Sequence, residues 1–92
     1  DEKAAEALIQ AALKQATVVP LSVAQKAFEV GQIAQTLGPI TNPNMKSDVT
    51  TALALARAAI TGALANVEIN LASLKDETFA ADVRNQARLL TL

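Results

Sequence analysis

The fold is decided by residues 47–72, which read SDVTTALALARAAITGALANVEINLA. The stretch contains no proline, and Gly62 is its one helix-weakening residue, so it predicts a single helix of about 25 residues, or about 37 Å. Between Asp48 and Glu68 the only charged side chain is that of Arg57. A helix that is apolar almost all round is typically buried, either at the centre of a bundle or against a partner chain.

Two shorter helices are predicted before this segment. Apolar residues recur at helical spacing over residues 1–16 and again over residues 20–37. Pro20 disfavours a helical conformation for the residue before it and suits the first position of a helix, so a break and restart is predicted there. The Gly-Pro pair at residues 38–39 marks the end of the second helix. Gly31 weakens that helix by about 1 kcal/mol relative to Ala, so it is expected where another backbone comes close.

A fourth helix is predicted at the end of the chain. Lys75 and Asp76 form the joint before it, and its apolar side carries Phe79, Val83, Ala87 and Leu90. Helices joined by short connections run antiparallel to their neighbours. The predicted fold class is therefore all-α, an up-and-down bundle of about four helices in one domain over residues 1–92. Because three amphipathic helices are few to cover one apolar helix, further helices or a dimer partner are expected.

The composition makes several classes of function poor candidates. Lys and Arg number 8 against 9 Asp and Glu, so the net charge is −1 and no basic surface for nucleic acid is expected. The chain has no Cys and no His, which removes disulfides, thiolate chemistry and the two commonest transition-metal ligands. No run of about 18 apolar residues occurs, so neither a spanning helix nor a signal peptide is predicted and the chain reads as soluble. The lack of cysteine suits the cytoplasm.

The first polar feature that can carry chemistry is the turn Asn42-Pro43-Asn44-Met45-Lys46-Ser47-Asp48. Backbone N–H groups at a helix start favour anions, so these amides and the hydroxyl are candidates to hold a polar ligand. The alternative is structural: Asn44 or Ser47 caps the helix, and Asp48 complements the helix dipole. Both interpretations stay open on the sequence alone.

The second feature is the pair Asn66 and Asn70, which are four residues apart and therefore share a helix face, with Gly62 one turn earlier. Buried amides need hydrogen-bond partners, so this face either bonds to another helix or presents donors and acceptors to a planar polar ligand. The alternating donors and acceptors of a pterin-like ring would suit a pair of amides.

The third feature is Arg57, a lone charge in an apolar helix. It is expected to pair with a carboxylate of a neighbouring helix, with snorkelling or contact with an acidic ligand as alternatives. Asp48 and Asn66 share a helix face but stand 18 residues apart, which is about 27 Å along the axis. They cannot contact one small group within one chain, so a common site would need an antiparallel neighbour or a second subunit.

The same residues resemble a known family. The matching stretches, in chain order, are Val19-Pro20-Leu21, Asn44-Met45-Lys46-Ser47-Asp48, the run from Ala54 to Leu71, and Lys75-Asp76-Glu77-Thr78-Phe79. Together they resemble the C-terminal domain family of formiminotransferase-cyclodeaminase, which includes bacterial methenyltetrahydrofolate cyclohydrolases. The resemblance covers essentially the whole chain, but the N-terminal half of the family's domain, which carries a proline- and glycine-rich segment opening a long helix, has no counterpart in it. The chain, which begins at Asp1 without an initiating Met, therefore resembles the C-terminal half of that domain.

The resemblance implies an all-helical, dimeric, folate-handling domain, and the apolar helix is the expected dimer contact. Members either close formiminotetrahydrofolate to the 5,10-methenyl form with release of ammonia, or hydrolyse the methenyl form to 10-formyltetrahydrofolate. On that basis Asp48 is the candidate catalytic residue, and the candidate substrate-binding residues are Asn44, Ser47, Asn66 and Asn70. Neither reaction needs a metal, and the folate derivative is substrate rather than cofactor.

A hypothesis of a different class accompanies this one. The apolar helix alone would also suit a non-catalytic helical module that serves dimerisation or assembly. Whether half of the domain turns over substrate by itself is left open by the sequence, as is the choice between cyclodeaminase and cyclohydrolase.

Overall fold

The computed structural model describes residues 1–92 and contains helices but no strands. The helices are α1 (Glu2–Leu37), α2 (Lys46–Leu71) and α3 (Glu77–Arg88), and two short 3-10 turns, Gly38–Ile40 and Pro43–Met45, join α1 to α2. The first two helices pack along one another as an antiparallel hairpin, and α3 folds back beside them. The all-α prediction is confirmed, whereas the number of helices is three rather than the predicted four.

The difference arises at Pro20, which lies inside the continuous 36-residue helix α1. Proline has no N–H, so the carbonyl of Ala16 loses its helical partner. The side chain of Asn70 on α2 replaces it, since Nδ2 donates to the Ala16 oxygen at 2.9 Å. Thr17 and Leu21 are buried on either side of Pro20, so packing holds both halves in line. The predicted break is wrong because α2 supplies contacts that the sequence around Pro20 does not reveal.

The core is small and lies where α3 packs against the hairpin. It consists of Leu21, Val67, Leu71, Ala80 and Val83, with partly buried neighbours such as Phe79 and Leu90 around it. Only 12 of the 92 residues are buried. Those of α2 form a single stripe, Ala56, Ile60, Ala63, Val67 and Leu71. The expectation that this helix is buried all round is therefore not met within one chain.

Ion pairs lie around the small core. They join Lys14 to Asp76 at 2.8 Å, Lys75 to Glu6 at 2.7 Å and Arg84 to Glu68 at 3.3 Å. The hydrogen bond and charge of Lys75 lower the pKa of Glu6, and the hydrogen bond from Lys14 lowers the pKa of Asp76. The Asp76 carboxylate also accepts the Phe79 N–H at 3.0 Å and so caps α3. All three pairs are solvent-exposed, so each contributes little to stability.

The chain is a rod with far more surface than a compact protein of its mass. It measures 63 × 17 × 14 Å, and its radius of gyration is 17.1 Å, where about 12 Å is usual for this length. Its accessible surface is 6158 Å², against about 5,100 Å² for a typical folded monomer of 9.6 kDa. The excess is about 1,000 Å².

Gly31 was predicted to lie close to another backbone, and it lies close to a side chain instead. The residue is buried, but a Cβ added there would collide with the side chain of Leu92 rather than with another backbone. The glycine therefore makes room for the C-terminal residue of the chain. The colliding atoms belong to a flexible leucine side chain that can move, so this requirement for glycine is mild.

By length and composition alone, both long helices could cross a membrane. Within the apolar 18-residue window that qualifies each helix, 17% of the first helix's window and 22% of the second's is buried. The longest charge-free stretch within α1 lies between Lys14 and Lys26, and that within α2 lies between Arg57 and Glu68. Both are shorter than the roughly 20 apolar residues of a typical span. The absence of a membrane partner stays a prediction.

Candidate functional site

A groove of about 510 Å³ lies between α1 and α2 at the level of Pro20. Its lining residues are Ala16, Val19, Pro20 and Val23 from α1, and Ala59, Ala63, Asn66, Ile69 and Asn70 from α2. The polar side chains among them are the two amides of α2. Apolar walls with a few fixed polar groups are the usual composition of a small-molecule site. We call this cavity the Pro20 groove.

Asn70 belongs both to the fold and to the groove. Its Nδ2 donates to the Ala16 oxygen, whose helical partner Pro20 removes. This hydrogen bond is solvent-exposed, so its net contribution to stability is about 0.5–1.5 kcal/mol. For this asparagine the interhelical alternative is therefore confirmed, and the hydrogen bond also fixes how its amide meets the groove.

Asn66, one turn before Asn70, is different. It is exposed on the groove, and its side chain makes no hydrogen bond within the chain. Both its carbonyl oxygen and its amino group are available to a ligand. The two amides thus lie side by side, as expected. Asn70 is hydrogen-bonded to α1, and the side chain of Asn66 has no partner within the chain.

In the polar turn before α2, neither Asn44 nor Ser47 acts as the predicted helix cap. Asn42 accepts the Asn44 N–H at 2.9 Å and caps the 3-10 turn, while Met45 stands at the start of α2 without a side-chain cap. Ser47 lies inside the first turn of α2, because the helix begins two residues earlier than a cap at Ser47 predicts. The predicted caps, Asn44 and Ser47, are therefore wrong.

Asp48 lies in the first turn of α2, as predicted, and is exposed. It forms none of the ion pairs of the chain. Eighteen residues of unbroken helix separate it from Asn66, which is about 27 Å. One chain therefore does not bring the predicted catalytic residue to the Pro20 groove, and Asn44 and Ser47 stay with Asp48 at the other end of α2.

Arg57, between these two ends, is exposed and pairs with no carboxylate of the chain. The ion pair expected for it is therefore absent. It lines a shallow depression with the C-terminal residues Leu90, Thr91 and Leu92. Nowhere in the chain do three or more possible metal ligands come together.

Sequence reasoning identified the amides and missed the apolar walls of the groove. Val19, Val23 and Ile69 were not candidates, although they form the sides of the cavity. The available signal was Pro20 itself. A proline inside a continuous apolar pattern leaves a free carbonyl four residues earlier, and an asparagine on a neighbouring helix is a natural donor for it.

A model of the formiminotransferase-cyclodeaminase family matches residues 1–89. The chain belongs to this family. The family predicted from the motifs is therefore confirmed, and the match spans all three helices, including the Pro20 groove and the turn that holds Asp48.

Two curated relatives within the formiminotransferase-cyclodeaminase family are similar to the chain. A methenyltetrahydrofolate cyclohydrolase of Methylorubrum extorquens is 40% identical over 83 residues, which is 89% of this chain and 40% of the relative. A formimidoyltransferase-cyclodeaminase of Sus scrofa is 33% identical over 86 residues, which is 94% of this chain and 16% of the relative. The chain thus spans less than half the length of either. No solved structure matches. The names of the relatives indicate folate one-carbon metabolism.

Proposed function

We propose that this chain is the C-terminal half of a folate-handling enzyme domain and that the Pro20 groove holds part of a tetrahydrofolate derivative. The observation that supports the proposal is the pairing of Asn66 and Asn70 on apolar walls, in a chain of this family. The amides would bind the donors and acceptors of the pterin ring. The apolar side chains would contact its faces.

Two reactions fit the family. In the first, N10 of formiminotetrahydrofolate attacks the formimino carbon, and the resulting tetrahedral centre expels ammonia to leave the 5,10-methenyl bridge. In the second, water adds to the methenyl carbon, and the bond from that carbon to N5 breaks to give 10-formyltetrahydrofolate. Each route moves protons on and off a tetrahedral carbon, so a positioned carboxylate can act as general acid and base. Asp48 is the candidate for that role, with Asn44 and Ser47 beside it as substrate-binding groups.

The proposed site requires a second chain, because Asp48 and the groove are about 27 Å apart. The excess surface of about 1,000 Å² is comparable to the roughly 800 Å² per partner that a standard interface buries. We propose a homodimer in which α2 of each copy packs on the other. An antiparallel pair of α2 helices would bring the Asp48 end of one copy toward the groove end of the other.

The contact surface in that dimer is a second apolar stripe on α2, opposite the buried one. Its members are Leu55, Ala58, Gly62, Ala65 and Ile69, and we call them the outer seam. They alternate at spacings of three and four residues, the pattern of a helix-pairing seam. Leu55 and Ile69 are 66% and 68% exposed, and nothing lies within 4 Å of a Cβ added at Gly62. A seam without charge is complementary to its own copy, which a two-fold dimer requires.

The remaining parts of the proposal concern nucleic acid, cellular location, membranes and cofactors. The net charge of −1 offers no footprint for nucleic acid, and the absence of cysteine suits the cytoplasm. Neither long helix has a charge-free stretch as long as the roughly 20 apolar residues of a typical span, which favours protein contacts over a bilayer for their apolar faces. The folate derivative would be the substrate, without a further cofactor.

A second candidate function is a non-catalytic assembly module. The outer seam favours it, because that surface suits dimerisation whether or not the groove binds anything. The two proposals differ in one measurement. A folate-handling domain is stabilised by a bound folate and melts at a higher temperature in its presence, whereas an assembly module does not.

Replacing Asn66 with Ala tests the groove directly. We expect the affinity for 5-formyltetrahydrofolate, measured by isothermal titration calorimetry, to fall about tenfold or more. The reason is that the ligand loses its hydrogen bonds to the Asn66 amide. The helix should tolerate the change, since Ala is a better helix former than Asn.

The matched control is Asn85→Ala, which changes an exposed asparagine on α3 away from the groove. Its affinity should equal that of the unchanged chain. Equal affinity in all three proteins would remove Asn66 from the site, and no binding by the unchanged chain or its dimer would leave the assembly module as the better account.

A further inference from the structure

Pro20 and Asn70 form a linked unit in the wall of the groove. Pro20 removes the helical donor to the Ala16 carbonyl, and Asn70 donates to that oxygen from the facing helix at 2.9 Å. An asparagine amide has a donor side and an acceptor side. Because the carbonyl accepts only, Nδ2 must face Ala16, and the amide cannot flip without losing this hydrogen bond.

The consequence concerns the other side of the same amide. Asn70 Oδ1 takes part in no hydrogen bond within the chain, and the residue lines the groove beside Asn66. An oxygen held in a fixed direction at a cavity wall is an acceptor that a ligand can meet without reordering the side chain. Asn66, which has no such restraint, can turn either its oxygen or its nitrogen to a ligand.

We propose that Pro20, through the Ala16 carbonyl, fixes Asn70 as a hydrogen-bond acceptor, so that the groove selects ligands presenting an N–H donor to Asn70 Oδ1. The inference rests on the proposed function of the groove and adds a specificity-determining role for Asn70 and a positioning role for Pro20. For a pterin ring, the donor would be the ring N3–H. A ring that offers only acceptors at that edge would be rejected.

The link between Pro20 and Asn70 is tested without any ligand, by a double-mutant cycle. Asn70→Ala should lower the melting temperature by about 5 °C, because it removes the exposed interhelical hydrogen bond to the Ala16 carbonyl, worth about 1 kcal/mol. In a Pro20→Ala background the new backbone N–H serves that carbonyl, so the same Asn70→Ala change should cost much less. Asn66→Ala is the control and should have the same small effect in both backgrounds.

The fixed orientation is tested by nuclear magnetic resonance. In the unchanged chain the Asn70 side-chain N–H that faces Ala16 should exchange slowly with solvent, and in Pro20→Ala that protection should be lost. The link would be overturned if Asn70→Ala lowered the melting temperature equally in the unchanged and the Pro20→Ala backgrounds. It would also be overturned if the Asn70 side-chain N–H exchanged at the same rate in the unchanged chain and in Pro20→Ala.

Selectivity is tested with pterin and its N3-methylated analogue, which lacks the ring donor. The unchanged chain should bind pterin at least tenfold more tightly, and Pro20→Ala should reduce that ratio because the freed amide can rotate. Equal affinity of the unchanged chain for both rings would overturn the acceptor assignment. Binding of neither pterin nor 5-formyltetrahydrofolate would overturn the proposed function and the selectivity with it, while the cycle would still report on the Pro20 and Asn70 link.

Discussion

Replacing Leu71 with Ala is expected to lower the free energy of unfolding by about 2–5 kcal/mol, the usual cost of emptying a buried leucine site. Leu71 is 3% exposed and belongs to the five-residue core that joins the three helices. A chain of this size has a total stability of only about 5–15 kcal/mol, and this one buries few residues. Urea unfolding followed by circular dichroism at one fixed protein concentration measures the change.

Leu89→Ala is the matched control, because it removes the same atoms from a residue that is 75% exposed. Its effect should stay within about 0.5 kcal/mol. If the two variants lost equal stability, the core would not lie where α3 meets the hairpin. The packing that holds Pro20 within a continuous α1 would then need another explanation.

The second large effect is expected from Leu55→Glu, which places a charge in the outer seam. In a single chain Leu55 is mostly exposed, so the helical content should be unchanged. In a dimer the carboxylate would be buried without a partner, at a cost of several kcal/mol. Sedimentation equilibrium should therefore give about twice 9.6 kDa for the unchanged chain and 9.6 kDa for the variant.

Leu89→Glu is the control for that experiment, since it adds the same charge to a leucine outside the seam that is also mostly exposed. It should remain dimeric. A dimer that survives Leu55→Glu would exclude the outer seam as its contact. A monomeric unchanged chain would mean that some other polypeptide covers this surface.

Much of the fold follows from local patterns in the sequence. The bounds of α2 and α3 and the end of α1 at Gly38 agree with prediction to within one or two residues. They were predictable because glycine, proline and turn-forming polar residues act on neighbouring backbone. The continuity of α1 through Pro20 was not, since it depends on the hydrogen bond that Asn70 donates to the Ala16 carbonyl, and these two residues are 54 positions apart in the chain.

In the candidate site, too, some features were predictable from the sequence and others were not. The amide pair was predictable, because a spacing of four residues places two side chains on one helix face. The walls of the groove were not, because they require the register of α1 against α2. The cap of α2 was misassigned for a local reason: the Asn42 side chain forms a 3-10 turn first, and this shifts the start of the helix.

The claim that the Pro20 groove binds a folate derivative is tested most directly by titrating isotope-labelled protein with 5-formyltetrahydrofolate and following its amide resonances. The account predicts that the largest shift changes fall on the Asn66 side chain and on the backbone of Val19 and Val23, which line the groove. Unchanged spectra, or changes confined to the turn from Asn42 to Asp48, would contradict it.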